Sequence, residues 1–358
     1  MTVLSEPDFT PLAGDRRNKA RAIRVGLIGV LIVAMLLALG WGAAGDTDVI
    51  GALLAGLGVG EVSARDMTIV WDIRMPRVAT GALVGAALAV SGAVLQGLFR
   101  NPLADPGLVG VSAGAGFGAV AAIVLGGFLP LAIREFAGPY LIVGAAFIGG
   151  WATTLILYQV ATRRGRTTVA TMLLAGIALA AITGAVTGLI VYWSTDDQLR
   201  DLTFWGMGSV AGATWAKLIT AGPVIAIALI SAPFLSRGLD ALALGEAVAA
   251  HMGINVQRMK RLSIMSVAAS VGAAVAITGG IGFVGIVVPH LLRLVQGPEH
   301  RSLLPNCALL GAIVLLLADM VSRTVVAPAE LPIGIVTAMI GGPFFLWILL
   351  KNRTMLEG

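Results

Sequence analysis

The sequence predicts an all-α, polytopic membrane protein. Of its 358 residues, 58% are hydrophobic and only 12% are charged, and the mean hydropathy is +0.94. A soluble domain typically carries about 25% charged residues. Apolar runs long enough to cross a bilayer, about 20 residues each, recur from end to end of the chain. These observations exclude a soluble globular domain.

Ten transmembrane helices are predicted, one from each of ten mostly uncharged apolar runs. They cover residues 23–44, 76–98, 108–128, 139–161, 169–192, 216–235, 262–278, 280–296, 305–322 and 334–350. With an even number of spans, both termini lie on the same side of the membrane.

The first run is predicted to be a retained span and not a signal peptide. The basic segment RRNKARAIR precedes it and GWGAAGD vaguely resembles a cleavage site. However, the run at 23–44 is about 22 residues long, whereas the apolar part of a signal peptide has about 7–15. We therefore expect a cytoplasmic tail at 1–22 and a transmembrane domain at 23–358.

The basic residues indicate the orientation. The formal net charge is +5, with 24 Lys and Arg residues. When the N-terminus is placed inside, most of these residues fall in the inside loops, which obeys the positive-inside rule with both termini cytoplasmic. The basic surplus is thus a topology signal, and no nucleic-acid partner is needed to explain it.

An internal echo indicates an inverted repeat. The segment VGAALAVSG at 84–92 resembles VGAAVAITG at 271–279. On the predicted topology the first copy runs inward and the second runs outward, which is the mark of an inverted-topology transporter. The alternative is chance similarity between helices rich in small residues, which pack closely in membranes.

The residues inside the spans disfavour several chemistries. The chain has no G-x-x-x-x-G-K-[ST] loop, so it cannot hold ATP in a P-loop. Asp319 is the clearest acid within a span, with Arg323 one turn later. A proton-driven carrier usually has several intramembrane carboxylates or histidines, so this scarcity counts against one.

A hydrolase is a weaker alternative. GVSAG at 110–114 fits G-x-S-x-G, and a Ser112–His290 pair would suggest an intramembrane serine hydrolase. The competing interpretation is a close-packing helix face, because Gly110, Gly114 and Gly118 are spaced by four. Because the chain has 47 glycines, a match to G-x-S-x-G arises easily by composition alone. We therefore predict no catalytic residues.

No metal site is predicted either. The three histidines share no H-x-x-x-H spacing, and the single cysteine gives no disulfide framework within one chain. We interpret these residues as structural or interfacial: His251, His290, His300 and Cys307.

Four motifs resemble the FecCD family, the membrane permeases of ABC importers for iron-siderophores, haem and vitamin B12. They are RMPRVATGALVGAALAVSGAVLQGLFRNPLADPGLVGVSAGAGFGAV, LGEAVAAHMGINVQRMKRL, GGIGFVGIVVPHLLRLVQGPEHRSLLP and LLLADMVSRTVVAPAELPIGIVTAMIGGPFFLWILL, in that order.

The resemblance implies a type II importer in the bacterial inner membrane. It implies ten helices per subunit and a homodimer with the translocation path along its axis. Two ATP-binding subunits would bind inside and a periplasmic substrate-binding protein outside. The missing P-loop fits this expectation, because a partner would hydrolyse ATP, and no permanently bound cofactor is expected.

A short amphipathic helix is predicted in LGEAVAAHMG, at 244–253, within a coupling segment of about 240–256. It resembles the family's coupling helix, which seats in a groove of the ATPase. The expected anchors are Leu244, Val248 and Met252, with Glu246 at the rim. Gly245 would permit a bend, and Gly253 would stop the helix. The alternative is a helix that lies on lipid, disfavoured by the lack of an aromatic residue.

The turn RNPLADPG at 100–107 is predicted to be tight and non-helical because of its two prolines. The resemblance implies a cytoplasmic gate formed by Asn101 and Leu103 with Thr168. Plain turn chemistry is the alternative role for these three residues.

Three basic residues near the predicted outer mouth match the family's docking arginines for the binding protein: Arg74, Arg77 and Arg323. Charge pairs of this kind set orientation and association rate and weaken with salt. The alternatives are an i, i+4 pair with Asp319 for Arg323, and snorkelling to lipid headgroups for Arg74 and Arg77.

The stretch QLRDLTFWGMGSVAGATW at 198–215 most resembles the haem-importing branch of the family, so haem is the expected substrate. Tyr192 and Met207 are the nearby side chains able to ligate iron weakly, and we place them along the substrate path. A ferric siderophore or cobalamin is the alternative substrate. A secondary transporter that works without ATP is the alternative class.

Overall fold

The computed structural model describes residues 16–41, 47–138, 140–163 and 166–351. Within these residues the chain forms helices with one two-stranded hairpin. The elements are α1 (Arg17–Gly40), α2 (Val49–Gly56), α3 (Ala64–Met67), α4 (Met75–Phe99), α5 (Val111–Leu125), α6 (Leu131–Ala137), α7 (Tyr140–Ala161), β1 (Thr162–Arg163), β2 (Arg166–Thr167), α8 (Val169–Tyr192), α9 (Asp196–Gly206), α10 (Trp215–Ala243), α11 (Glu246–His251), α12 (Val256–Thr278), α13 (Val284–Gln296), α14 (His300–Ser322) and α15 (Ile333–Lys351).

Eight of the described helices are long and apolar enough to cross a membrane. They match the first seven predicted spans and the ninth, and the predicted 169–192 span coincides with α8. The eighth and tenth predicted spans fall on α13 and α15, whose described apolar parts are shorter. Gly279 ends α12 before α13 begins, and Gly297 ends α13 itself, both with positive φ angles, so α13 is confined to a short stretch between them.

The first helix begins earlier than the sequence predicts. It starts at Arg17, so residues 17–22, which we expected in the tail, are helical. Residues 1–15 of the predicted tail and 42–44 of the first predicted span lie outside the described residues.

Helix α4 forms the centre of the bundle. Every residue from 84 to 99 is buried, and the helix packs along α10, α12, α13 and α14. A β-carbon at Gly85 would overlap the backbone of Gly311 in α14, and one at Gly92 would overlap the backbone of Gly285 in α13. Glycine is therefore required for this close approach, as in other membrane helix pairs.

Both copies of the internal echo lie in this core. The first copy, 84–92, is buried within α4, and the second, 271–279, is buried at the end of α12. The two helices contact each other. The repeated small residues are thus used for helix packing.

Gly114, the last residue of the G-x-S-x-G pattern, and Gly118, one turn later, also serve packing. Added β-carbons at Gly114 and Gly118 of α5 would overlap the backbone of α7 at Gly149 and Ala145. This close contact is the small-residue helix face that the sequence offered as the alternative to a hydrolase.

Candidate functional site

At the predicted outer end, α4 and α14 are joined by a mostly buried polar network, which we call the arginine network (Arg74, Arg77, Asp319, Arg323, Glu330). Ion pairs link all of its members except Arg74, which donates to backbone carbonyls. Arg77 Nη2 donates to Asp319 Oδ1 at 2.8 Å, and Arg77 Nη1 donates to Glu330 Oε1 at 2.8 Å. Arg323 Nη2 donates to Asp319 Oδ2 at 2.6 Å. Asp319 is 1% exposed and therefore serves two cations away from water.

The other donors of the arginine network cap the end of α1. Arg74 Nη1 donates to the carbonyls of Leu39 at 2.6 Å and Gly40 at 3.1 Å. Arg323 Nη1 donates to the carbonyls of Ala38 at 3.1 Å and Trp41 at 3.0 Å. The last carbonyls of a helix lack internal partners and carry the negative end of its dipole. The two guanidiniums donate hydrogen bonds to these carbonyls and place positive charge at the negative end of the dipole.

This geometry changes the interpretation of the three predicted docking residues. Arg74, Arg77 and Arg323 are all buried, at 4%, 8% and 5% exposure, and each contacts acceptors within the chain. Snorkelling of Arg74 and Arg77 to lipid headgroups is therefore wrong, whereas the i, i+4 pair of Arg323 with Asp319 is present. Sequence reasoning missed Glu330, whose side chain is 38% exposed where the network reaches the surface.

A cleft of about 980 Å³ lies at the same end, beside α9. Phe204 and Trp205 of α9 contribute aromatic rings to its lining. Its charged lining residues are Arg134, Glu135, Asp201 and Lys217. The volume is in the range of sites for small organic ligands.

The two predicted path residues lie outside this lining. Tyr192 ends α8 and is 82% exposed. Met207 caps the end of α9 and is half-buried. Neither is among the residues that line the cleft.

The predicted coupling segment, at the opposite end, is a short helix set between two glycine turns. Gly245 has φ +112° and Gly253 has φ +81°, so the predicted bend and stop are both confirmed. The helix proper is only α11, and Leu244 is the cap of α10. The three expected anchors are exposed: Leu244 at 66%, Val248 at 42% and Met252 at 60%.

Glu246 has a basic partner that the sequence analysis did not foresee. Its Oε1 atom lies 2.7 Å from Nζ of Lys260, which is 3% exposed in α12. Helix packing brings a residue one turn into α12 beneath the start of α11.

The predicted gate turn is held by local hydrogen bonds. Asn101 Oδ1 accepts from Leu103 N at 2.9 Å, and Asp105 Oδ1 accepts from Gly107 N at 2.8 Å. Burial raises the pKa of the Asp105 carboxyl above its ordinary value. The following 3-10 turn, Pro106–Val109, packs against α8. The predicted turn is therefore non-helical over residues 100–105, whereas Pro106 and Gly107 already belong to the 3-10 turn.

Thr168 lies directly before α8, and its Oγ1 donates to Thr171 Oγ1 at 2.6 Å. Local turn chemistry therefore accounts for the polar groups of Asn101 and Thr168, while Leu103 is half-buried. The local contacts described for these three residues do not bear on a role as a gate.

A second polar network, which sequence reasoning missed, lies at the predicted inner end. Asn306 Nδ2 donates to Gln296 Oε1 at 2.5 Å, and its Oδ1 accepts from Arg24 Nε at 3.1 Å. His300 Nδ1 lies 2.7 Å from Asp240 Oδ1. A polar side chain inside an apolar span was the available signal, because such residues need partners within the bundle.

The remaining candidate ligands are separate from one another. His290 packs edge to face on Phe344, with ring centroids 6.0 Å apart, and Cys307 is a buried free thiol. His251 ends α11 and is exposed. Among the residues that the structure describes, no group of three or more His, Cys, Asp or Glu is arranged to hold a metal ion.

Eight long apolar helices, tied together by buried polar networks, define a multi-pass membrane protein. The chain belongs to the FecCD transport family, whose model matches residues 26–351. It is 45% identical to the hemin transport system permease protein HmuU of Yersinia pestis, over 81% of this chain and 85% of that protein. It is 43% identical to the vitamin B12 import system permease protein BtuC of Citrobacter koseri, over 95% and 96% of the two chains.

A solved structure has the same fold. A metal-chelate type ABC transporter in an inward-facing conformation superposes with a TM-score of 0.80 at 32% sequence identity, covering 92% of this chain and 99% of that one. The relatives are transport permeases, so this chain is a FecCD-type permease and the hydrolase interpretation of Ser112 and His290 is wrong.

Proposed function

We propose that this protein is the membrane subunit of a type II, ATP-driven ABC importer and passes haem into the cytoplasm along the axis of a homodimer. The family membership supports an importer permease for a metal chelate. One structural observation carries the ATP-driven part of the proposal. The apolar face of residues 244–252 stays exposed at one end of a transport fold, and this chain has no P-loop of its own.

The proposed subunit has ten transmembrane helices in the bacterial inner membrane, with both termini cytoplasmic. The eight longer apolar helices would supply eight of these spans, and the shorter apolar helices α13 and α15 would supply the other two. The charge bias of the loops supports this orientation. The proposal includes an inverted repeat that relates the echo segments in α4 and α12. Residues 1–22 are the proposed cytoplasmic portion, of which 17–22 belong to α1, and residues 23–358 are the proposed permease domain.

Two ATP-binding subunits are proposed to seat α11 and its flanking residues in apolar grooves. Leu244, Val248 and Met252 would be buried there, which fits their exposure in the single subunit. Movement of the two ATPases would then open and close the cytoplasmic gate at Asn101, Leu103 and Thr168. A nucleotide shifts this equilibrium only by its differential affinity for the two states.

A periplasmic binding protein is proposed to dock over the arginine network. Acidic groups on that protein would compete with Glu330 for Arg77, because Glu330 already occupies both terminal nitrogens of that guanidinium. We therefore expect Arg77→Gln to weaken docking and Glu330→Gln to strengthen it at low salt, where exposed charge pairs are least screened.

Binding-protein affinity can be measured by surface plasmon resonance on permease in nanodiscs, with Arg65→Gln, at an exposed arginine outside both the arginine network and the cleft lining, as the control. Unchanged affinity in both network variants would leave the arginine network a purely structural feature and remove the docking proposal.

Haem is the proposed substrate, and the outer cleft supports it. Haem is a flat, largely apolar ring with two carboxylates. Phe204 and Trp205 offer ring surfaces around a space of about 980 Å³. Arg134 and Lys217 offer partners for the two carboxylates, although Glu135 and Asp201 balance their charge in the lining. The identity with the hemin permease HmuU supports the same choice. Tyr192 and Met207 are proposed to line the path further along, with haem ligation left to the binding protein.

Reconstitution in proteoliposomes with the cognate ATPase and binding protein tests this proposal. We expect ATP-dependent uptake of haem, and little uptake of a ferric siderophore or cobalamin. Uptake of cobalamin or a ferric siderophore, together with no uptake of haem, would show that the chain transports a different substrate of the family. Uptake in the absence of the ATPase would instead indicate a secondary transporter.

A further inference from the structure

Lys260 is a buried cation placed between the β1–β2 hairpin and α11. Its side chain is 4% exposed, and Nζ lies 2.7 Å from the carbonyl oxygen of Thr167 and 2.7 Å from Glu246 Oε1. A buried ammonium is costly unless it is paired and hydrogen-bonded. Both contacts are therefore needed to keep it in place.

The first partner belongs to the β1–β2 hairpin. Thr162 pairs with Thr167 across the hairpin, and their hydroxyls lie 2.8 Å apart. Thr167 N donates to Gln257 Oε1 at 3.0 Å. Both backbone polar groups of Thr167 are thus bound to α12, by residues that lie one turn apart on the same helix face. Thr167 immediately precedes Thr168 and the start of α8.

The second partner belongs to α11. Glu246 is the first residue of that helix, and its side chain is 46% exposed. The flanking glycines at 245 and 253 adopt positive φ angles and have nothing packed within 4 Å of an added β-carbon. The backbone at both ends of α11 therefore leaves room for the helix to move. Hydrogen bonds between ionised groups are about twice as strong as neutral ones.

We propose that Lys260 is a positioning residue that transmits movement of α11 to the β1–β2 hairpin, and so to the start of α8. The proposal rests on the proposed function, in which α11 meets the ATPase and Thr168 lies at the gate. When α11 moves, the Glu246 carboxylate either draws the Lys260 ammonium along with it or separates from it. In the second case the buried Lys260 charge loses its acidic partner. Because the second outcome is costly, the hairpin and α11 move together.

Replacing Lys260 by methionine (K260M) keeps the side-chain length and removes the charge. We expect the reconstituted K260M complex to hydrolyse ATP at close to the wild-type rate while substrate transported per ATP falls at least about fivefold, a coupling energy of ordinary size. Arg258→Gln is the matched control, since it removes one exposed charge from the same end of the same helix. It is expected to keep the wild-type ratio.

Distance measurements provide a second readout. Spin labels at Arg163 and Ala250, both exposed and neither one an expected anchor of the ATPase contact, should change separation on ATP binding, and this change should have a different size in K260M. If K260M does not fold, Glu246→Ala leaves Lys260 its Thr167 contact and should lower the same ratio.

The outcomes are distinguishable. A purely structural lysine would reduce the amount and thermal stability of the permease but leave the transport-to-ATP ratio and the distance change intact, which would overturn this inference alone. A wild-type complex that shows no ATP-driven transport would overturn the proposed function and this inference together.

Discussion

Replacing both Leu244 and Val248 by aspartate (L244D/V248D) is expected to abolish ATP-driven transport while the permease still inserts in the membrane. The two side chains are 66% and 42% exposed in the single subunit, so the substitutions cost the isolated fold little. In an apolar groove of the ATPase, two carboxylates would lose water without gaining partners, at a cost of several kcal/mol. About 3 kcal/mol already lowers affinity by about 100-fold.

Copurification of the ATPase and uptake in proteoliposomes would measure this effect. A matched control is the double substitution of Leu57 and Val59 by aspartate, at two apolar residues that are 75% and 59% exposed near the predicted outer side. The control should retain ATPase binding. Normal ATPase binding and transport by L244D/V248D would show that the coupling assignment is wrong.

Replacing Asp319 by alanine should destabilise the permease strongly. Asp319 accepts from Arg77 and Arg323, and all three are nearly inaccessible to water. Removing one partner of a buried ion pair typically costs about 3–5 kcal/mol, because it leaves an uncompensated charge. We expect a lower midpoint of thermal unfolding in detergent and less protein in the membrane. Asp319→Asn, which retains one acceptor oxygen, should lie between alanine and wild type.

Two comparisons isolate the cause. Asp72→Ala removes an exposed acid from the same end of the molecule and should leave the midpoint almost unchanged. The triple substitution R77M/D319L/R323M removes Asp319 together with both of its cations and should recover part of the stability lost in D319A. Recovery should be incomplete, because Glu330 loses Arg77 and the carbonyls of Ala38 and Trp41 lose Arg323. An unfolding midpoint of D319A equal to wild type would contradict the stabilising role of the arginine network.

Much of the fold was predictable because its signals are local in sequence. Apolar runs predicted eight helices that the structure makes long enough to span a bilayer, and two more that it makes shorter. The positions of Gly245 and Gly253 predicted the bend and stop of α11, since glycine alone adopts positive φ without strain. The four motifs were sufficient for the FecCD family, and the family match over 26–351 confirms it.

The placement of charges was less predictable. The sequence analysis placed Arg74, Arg77 and Arg323 near the predicted outer mouth and matched them to the family's docking arginines for the binding protein. The structure instead buries all three. It likewise places Lys260 against Glu246, although the sequence shows only a basic cluster near the start of a span.

The sequence by itself determined the membrane class, most helix positions, the family and the exposed apolar residues of the coupling segment. Only the tertiary structure decided the partner of each buried charge. Arg77 meets an acid 242 positions away because α4 and α14 pack together, and Thr167 meets Lys260 93 positions away because the hairpin folds onto α12. Backbone propensity and hydrophobic period act over a few residues, whereas these pairs depend on which helices the small-residue faces bring into contact.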